Sequence, residues 1–162
     1  MANKKITDLT ELTAAASNDY LEIVDTSANA SKKITRENLS GWHFLTAPLT
    51  STAWDGDAFS TTAKTKIDLS VVFGVPAGIK AVLCNVAIKD SASEANDCFL
   101  CLSPNANASS GPKVACSGLA NSKYGRGTVV VPCNANGDIY YQVAASGSGT
   151  ATIYLDLWGY WL

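Results

Sequence analysis

Val82, Cys84, Val86 and Ile88 alternate with Ala81, Leu83, Asn85 and Ala87, a period of two that fits an extended strand and no helix. Short apolar or alternating runs recur at Ile67–Phe73, Cys98–Leu102, Val114–Cys116, Thr128–Val131, Ile139–Ala144 and Ala151–Trp158. Turn-forming clusters separate them: Pro76-Ala77-Gly78, Ser103-Pro104-Asn105, Ser110-Gly111-Pro112, Asn134-Ala135-Asn136-Gly137 and Ser146-Gly147-Ser148-Gly149. No helical period intervenes, so the crossover helices that a parallel sheet needs are missing. Residues 67–162 are therefore expected to form an antiparallel β-sandwich or jelly roll of about seven or eight strands, in a mostly β protein.

Residues 1–41 read differently and hold much of the charge. Ile6, Leu9 and Leu12 recur every three residues, the stripe of a short helix. Tyr20-Leu21-Glu22-Ile23-Val24 reads as a strand, the residues from Asp25 to Ala30 as a turn, and those from Ser31 to Thr35 as a returning strand. Thr35 is a fair N-cap for a last short turn stopped by Gly41. This small α+β piece has too few large apolar residues to hold ~40 residues folded alone, so it must dock on something. Residues 42–66 are rich in Thr, Ser and Ala, contain Pro48 and Gly56, and are expected to be a linker into the β-sandwich domain.

A chain of 162 residues accommodates one domain and a short appendage. Charged residues make up 16% of it, below the ~25% usual for soluble proteins, and Ser, Thr, Asn, Ala and Gly take their place. That composition suits a surface hidden in an assembly. The net charge of −2 gives no field that draws the chain to nucleic acid, and Lys4-Lys5 and Lys32-Lys33 are isolated pairs without interleaved aromatics. No nucleic-acid partner is expected. No membrane partner is expected either, because no apolar run approaches the ~18 residues that span a bilayer. Thr7, Asp8, Thr10 and Glu11 break any export signal begun at Met1, which places maturation in a cytoplasm.

The inventory for catalysis is poor. His43 is the single histidine and sits beside Trp42 in the expected linker, away from any activated nucleophile. Tyr124-Gly125-Arg126-Gly127 is glycine-rich but opens no helix, and a turn explains it. Cys98 and Cys101 have C-x-x-C spacing, yet in a strand residues three apart point to opposite faces. All five cysteines (Cys84, Cys98, Cys101, Cys116 and Cys133) are read as reduced, packed thiols. Asp55-Gly56-Asp57, and the oxygen-rich stretch from Asp90 to Asp97 with Glu94 and Asn96, lack the spacing of a calcium loop and are read as loop caps. The expectation is a non-enzymatic protein with no catalytic residue, metal site or cofactor.

Aromatic residues are the most suggestive. The chain ends Tyr154-Leu155-Asp156-Leu157-Trp158-Gly159-Tyr160-Trp161-Leu162. Strict alternation places Tyr154, Asp156, Trp158 and Tyr160 on one face and Leu155, Leu157 and Trp161 on the other. Tyr154, Trp158, Tyr160 and Trp161 are candidates for a core or trimer interface, where Trp and Tyr are enriched, or for a platform that stacks sugar rings.

The N-terminal pattern Ile6-Thr7-Asp8-Leu9, Leu21 to Val24 followed by Asp25-Thr26-Ser27, Lys32-Lys33-Ile34-Thr35 and Asn38-Leu39 resembles a segment that opens many tailed-bacteriophage virion proteins. Trp54-Asp55-Gly56-Asp57, Phe73-Gly74-Val75-Pro76-Ala77-Gly78 and the ending Trp158-Gly159-Tyr160-Trp161 are similar to stretches of phage structural domains. The resemblance implies a virion surface protein of the tail-fibre, spike or head-decoration type, assembled in the host cytoplasm. It implies a homotrimer anchored to capsid, tail or baseplate proteins, with Ile6, Leu9, Leu12, Leu21, Ile23, Ile34 and Leu39 in the anchor. The sequence lacks the shaft repeats of a long fibre, so the expected object is short. The alternative is a receptor- or glycan-binding tail module that contacts the host surface.

Overall fold

The computed structural model describes residues 20–25, 30–35, 41–51, 64–107 and 111–162. The chain divides into two compact units, Met1–Ser40 and Gly41–Leu162. In the first, β1 (Tyr20–Asp25) and β2 (Ala30–Thr35) form an antiparallel hairpin in which Leu21 lies opposite Ile34 and Ile23 opposite Lys32. Ile6, Leu9, Leu12 and Leu39, with the expected helical stripe and last turn, lie outside the described residues.

The second unit is an antiparallel β-sandwich. Its strands are β3 (Trp42–Thr50), β4 (Thr65–Ile67), β5 (Ala81–Asp90), β6 (Phe99–Ser103), β7 (Lys113–Ala115), β8 (Gly125–Pro132), β9 (Ile139–Ala144) and β10 (Ala151–Trp161). One four-stranded sheet has the order β3-β10-β5-β8 and the other β4-β9-β6-β7. The pairings are nested: β3 with β10, β4 with β9, β5 with β8 and β6 with β7, all antiparallel. This is one long hairpin folded over on itself, the jelly-roll arrangement. Because the first strand pairs with the last, the chain enters and leaves at one pole, where the Leu162 N–H donates to the Gly41 carbonyl at 3.3 Å.

Alternation decides the core. Val82, Cys84, Val86 and Ile88 of β5 face inward beside Ile153, Leu155 and Leu157 of β10, and meet Leu100, Leu102, Ile139 and Val143 from the other sheet. All these side chains are buried.

Three segments differ from the sequence reading. Residues 42–66 are not simply a linker, because Trp42–Thr50 is an edge strand of the first sheet and Thr65–Ile67 an edge strand of the second. Pro48 lacks an N–H to donate, which an edge strand tolerates. The run Ile67–Phe73, expected as one strand, ends its strand at Ile67 and turns into a short helix, α1 (Leu69–Phe73). Asp68 starts the helix, its carboxylate accepting from the Val71 N–H at 3.2 Å and the Ser70 hydroxyl at 2.8 Å. Gly74 ends it in the left-handed conformation at φ 73°. Leu69 and Phe73 are buried on the core side of that turn.

The third difference is Tyr124–Gly127, which is not a free turn: Gly125 and Gly127 open β8. A Cβ at Gly125 would collide with the Ala115 carbonyl of β7, and one at Gly127 would press on the Val114 side chain at 3.0 Å. The glycines let β7 and β8, which belong to different sheets, close that edge of the sandwich. Gly125→Ala should therefore lower stability by about 2 kcal/mol in urea denaturation. Gly147→Ala, whose new methyl meets only the Thr150 methyl at 3.4 Å, should change it by less than ~0.5 kcal/mol.

Candidate functional site

The outer face of the β3-β10-β5-β8 sheet carries the exposed aromatic residues, and the strand register orders them in rows. At the pole of the chain ends, Trp161 lies between Trp42 and Ala81, with Pro132 beyond Ala81. In the next row Gly159 lies between Phe44 and Leu83, with Val130 beyond Leu83. Trp42, Phe44, Leu83 and Val130 line a hollow of about 260 Å³. Gly159 keeps the strands close here, since a Cβ on it would come within 2.8 Å of the His43 carbonyl. The Trp42 ring stacks beside Phe44 at 6.1 Å and meets Trp161 edge-on at 5.6 Å.

Farther along the same face the chemistry changes. Asp156, Asn85 and Thr128 form a polar row. Tyr154, Ala87 and Arg126 form the next, about 6.8 Å on for a step of two residues. Beyond them Lys89 pairs with Thr152, and Tyr124 leads into β8. This second aromatic group lies at the pole opposite the chain ends.

The four aromatic residues of the C-terminal strand thus do not form one row. Trp158 is an inserted residue: Leu157 pairs with Cys84 and Gly159 with the adjacent Leu83, so Trp158 has no partner on β5. The bulge reverses the alternation beyond it. Tyr160 turns inward, packs against the core and stacks on His43 at 5.3 Å, while Trp161 turns outward. His43, expected to be a linker side chain, is held in β3 by that stack. Trp158 and Trp161 stay 39% and 41% exposed, and Tyr154, at the far pole, 55%.

The far pole is tied together by one carboxylate. Asp90 ends β5 fully buried and accepts from the Ala92 N–H at 2.8 Å, the Ser146 N–H at 3.0 Å, the Ser146 hydroxyl and the Thr150 hydroxyl at 2.9 Å. Its backbone carbonyl accepts from the Ser122 N–H at 2.8 Å. The loops after β5, before β8 and before β10 are therefore all fastened to this residue. Burial pushes its carboxyl up, but the hydrogen bonds from Ser146, Ala92 and Thr150 outweigh it and hold the pKa at about 2. The rest of the oxygen-rich stretch is also used internally. Asp97 accepts from the Ser117 hydroxyl at 2.9 Å, Asn96 donates to the Ala92 carbonyl at 2.8 Å, and the Glu94 N–H donates to Asn121 at 3.1 Å. Asp55 and Asp57 lie outside the described residues. Among the described residues no group of three His, Cys, Asp or Glu side chains is placed to hold a metal ion.

The cysteines are free. Cys98 faces the core, while Cys101 lies on the outer side of its sheet, where the Lys64 ammonium approaches its sulfur at 3.5 Å. Burial pushes the Cys98 thiol up to about 11 and those of Cys84 and Cys133 to about 12, which suits packing and not nucleophilic chemistry.

The sequence did not single out Trp42, Phe44, Leu83, Val130 and Lys89, and Tyr124 and Arg126 read there only as part of a turn. Two signals were present: Trp42 and Phe44 flank His43 at strand spacing, and the unbroken run Val129-Val130-Val131 puts an apolar side chain on both faces. No family model matches the chain, and no curated protein is significantly similar to it.

The Asp90 clasp has a pH signature. A carboxyl held at about 2 contributes stability that is present above its unfolded value of about 4 and is lost as pH falls toward 2. In urea melts, Asp90→Asn should cost roughly 2 kcal/mol at pH 7, and the gap to the parent protein should close between about pH 4 and pH 2. A gap that stays constant across that window would show that the charge is not what holds the loops.

Proposed function

We propose that the chain is a non-enzymatic structural protein of a tailed-bacteriophage particle, a short fibre, spike or decoration protein anchored through residues 1–41 and assembled as a homotrimer. The observation that carries this reading is the apolar end of the outer sheet face. Phe44 and Val130, which line the hollow, are 72% and 50% exposed, and Trp161 beside Trp42 is 41% exposed. Neighbouring copies that cover this surface gain about 25 cal/mol for each Å² of apolar area removed from water, with Trp161 and Trp42 as anchors. Among the described residues β3 is also a sheet edge, which symmetry mates would close.

The position of the patch supports the same reading. The chain enters the domain at Gly41, hydrogen-bonded to Leu162, beside Trp42 and Trp161. Self-association would then take place at the pole where the chain enters this domain. Residues 1–41 supply the anchor by resemblance, with Leu21, Ile23 and Ile34 on the hairpin. Capsid, tail or baseplate proteins are the partners, and the virion is the location.

Sedimentation of the full-length protein should give a trimer at micromolar concentration. The double variant Trp161→Ser, Phe44→Ser should sediment as a folded monomer, with a loss of ~2 kcal/mol or more from the Trp161 anchor alone. Residues 41–162 expressed alone should fold but fail to join particles. A monomeric parent protein, or normal incorporation of the truncated one, overturns the proposal.

A further inference from the structure

The geometry points to a binding site for an acidic glycan, one bearing carboxylated sugars, at the far pole of the outer sheet face, built from Tyr124, Tyr154, Lys89 and Arg126. The two rings lie 5.9 Å apart at a tilt of 41°. The Lys89 ammonium sits 5.1 Å from the centre of the Tyr124 ring and the Arg126 guanidinium 5.2 Å from it. Two cations thus share one aromatic ring, and among the described residues neither makes an ion pair. In a chain of net charge −2 this is a local concentration of positive charge.

The ligand class follows from the surroundings. Tyr154 and Arg126 are both exposed. A pyranose ring presents an apolar face that stacks on tyrosine, as a simple anion does not. One row nearer the middle of the sheet, Asp156, Asn85 and Thr128 offer a carboxylate, an amide and a hydroxyl, groups that pair with sugar hydroxyls. The step of about 6.8 Å between these rows is close to the size of one sugar residue. A sugar stacked on Tyr154 would place its carboxylate toward Arg126 and Lys89 and its neighbour over the polar row. Nucleic acid fits less well: it needs a stripe of cations along the backbone path, and Asp156 would repel the next phosphate. Arg126 provides the fork that matches a carboxylate, and Lys89 a second point charge.

The site is composed entirely of residues on β5, β8, β10 and the entry to β8, so it does not depend on the chain being trimeric or particle-bound. The loops beside it are the ones Asp90 fastens, and that clasp fixes the positions of Tyr124 and the start of β10.

The test is binding of the full-length protein to an immobilised panel of oligosaccharides bearing uronic acid, sialic acid, sulfate or no charge, with single-stranded DNA alongside. Carboxylated members should bind saturably and lose binding when their carboxylates are reduced to alcohols. Arg126→Ala and Tyr154→Ala should each weaken binding about tenfold, while Tyr154→Phe retains it and Val71→Ser, at an exposed position on α1, leaves it unchanged. Thermal melts of the same variants confirm the fold. Binding should fall as salt rises. No binding across the carboxylated members, equal binding of neutral sugars, preference for DNA, or insensitivity to Arg126→Ala and Tyr154→Ala would each overturn the inference. Sedimentation of the same samples reports the trimer separately, so failure of one reading does not mask the other.

Discussion

Strand β10 is hydrogen-bonded along both edges, to β3 on one side and to β5 on the other, and the rest of the sandwich depends on that double pairing. It fills the interior of its sheet with Ile153, Leu155 and Leu157, and it is the last strand of the chain. Among the described residues the edge strand β3 pairs with β10 alone, so its place in the sheet waits for β10. Closure of the nested hairpin therefore comes late and joins residues more than a hundred positions apart (Trp42 with Trp161, Tyr160 with His43). Such long-range pairing is slow, and Gly125 and Gly159 are required wherever strands must come closer than a side chain permits.

The same strand separates two chemical environments on one surface. Near the chain ends it presents Trp161 and bare Gly159 among apolar neighbours; at the other pole it presents Tyr154, beside the Tyr124 ring that two cations share. The bulge at Trp158 makes this possible. Were Trp158 paired in the ladder instead of bulged out of it, Tyr160 would face outward and Trp161 inward, and the core would have to accept an indole. Asp90 does for the loops what the bulge does for the strand. One buried carboxylate, satisfied by four donors, fixes three connections that share little sequence regularity.

Much of the sandwich was legible because inward and outward residues alternate where both sheets are regular. Ile139–Ala144 matched to the residue, and the turns at Pro76–Gly78 and Asn134–Gly137 stand where Pro, Asn and Gly put them. The failures have local causes. β3 alternates only at its start, and between Phe44 and Leu49 it has four residues opposite the single Trp158, so no period survives. Ile67, Leu69, Val71 and Phe73 obey a strand period, yet the Asp68 side chain captures the Val71 N–H and starts a helix turn instead. The two aromatic groups were hidden for another reason: each gathers residues from distant strands, and only the register brings Trp42 to Trp161 or Tyr124 to Tyr154.

The shared pole of the chain ends has a mechanical meaning. A pull on the far pole, resisted at Gly41, runs lengthwise along β3, parallel to the strand and across its hydrogen bonds to β10. Those bonds are then strained together in shear and do not open one after another as in a zipper. The Trp42–Trp161 and His43–Tyr160 ring contacts lie at the loaded end and act as the first stops against sliding. Load applied between Gly41 and the opposite pole would therefore be carried by an edge strand whose one neighbour among the described residues is β10.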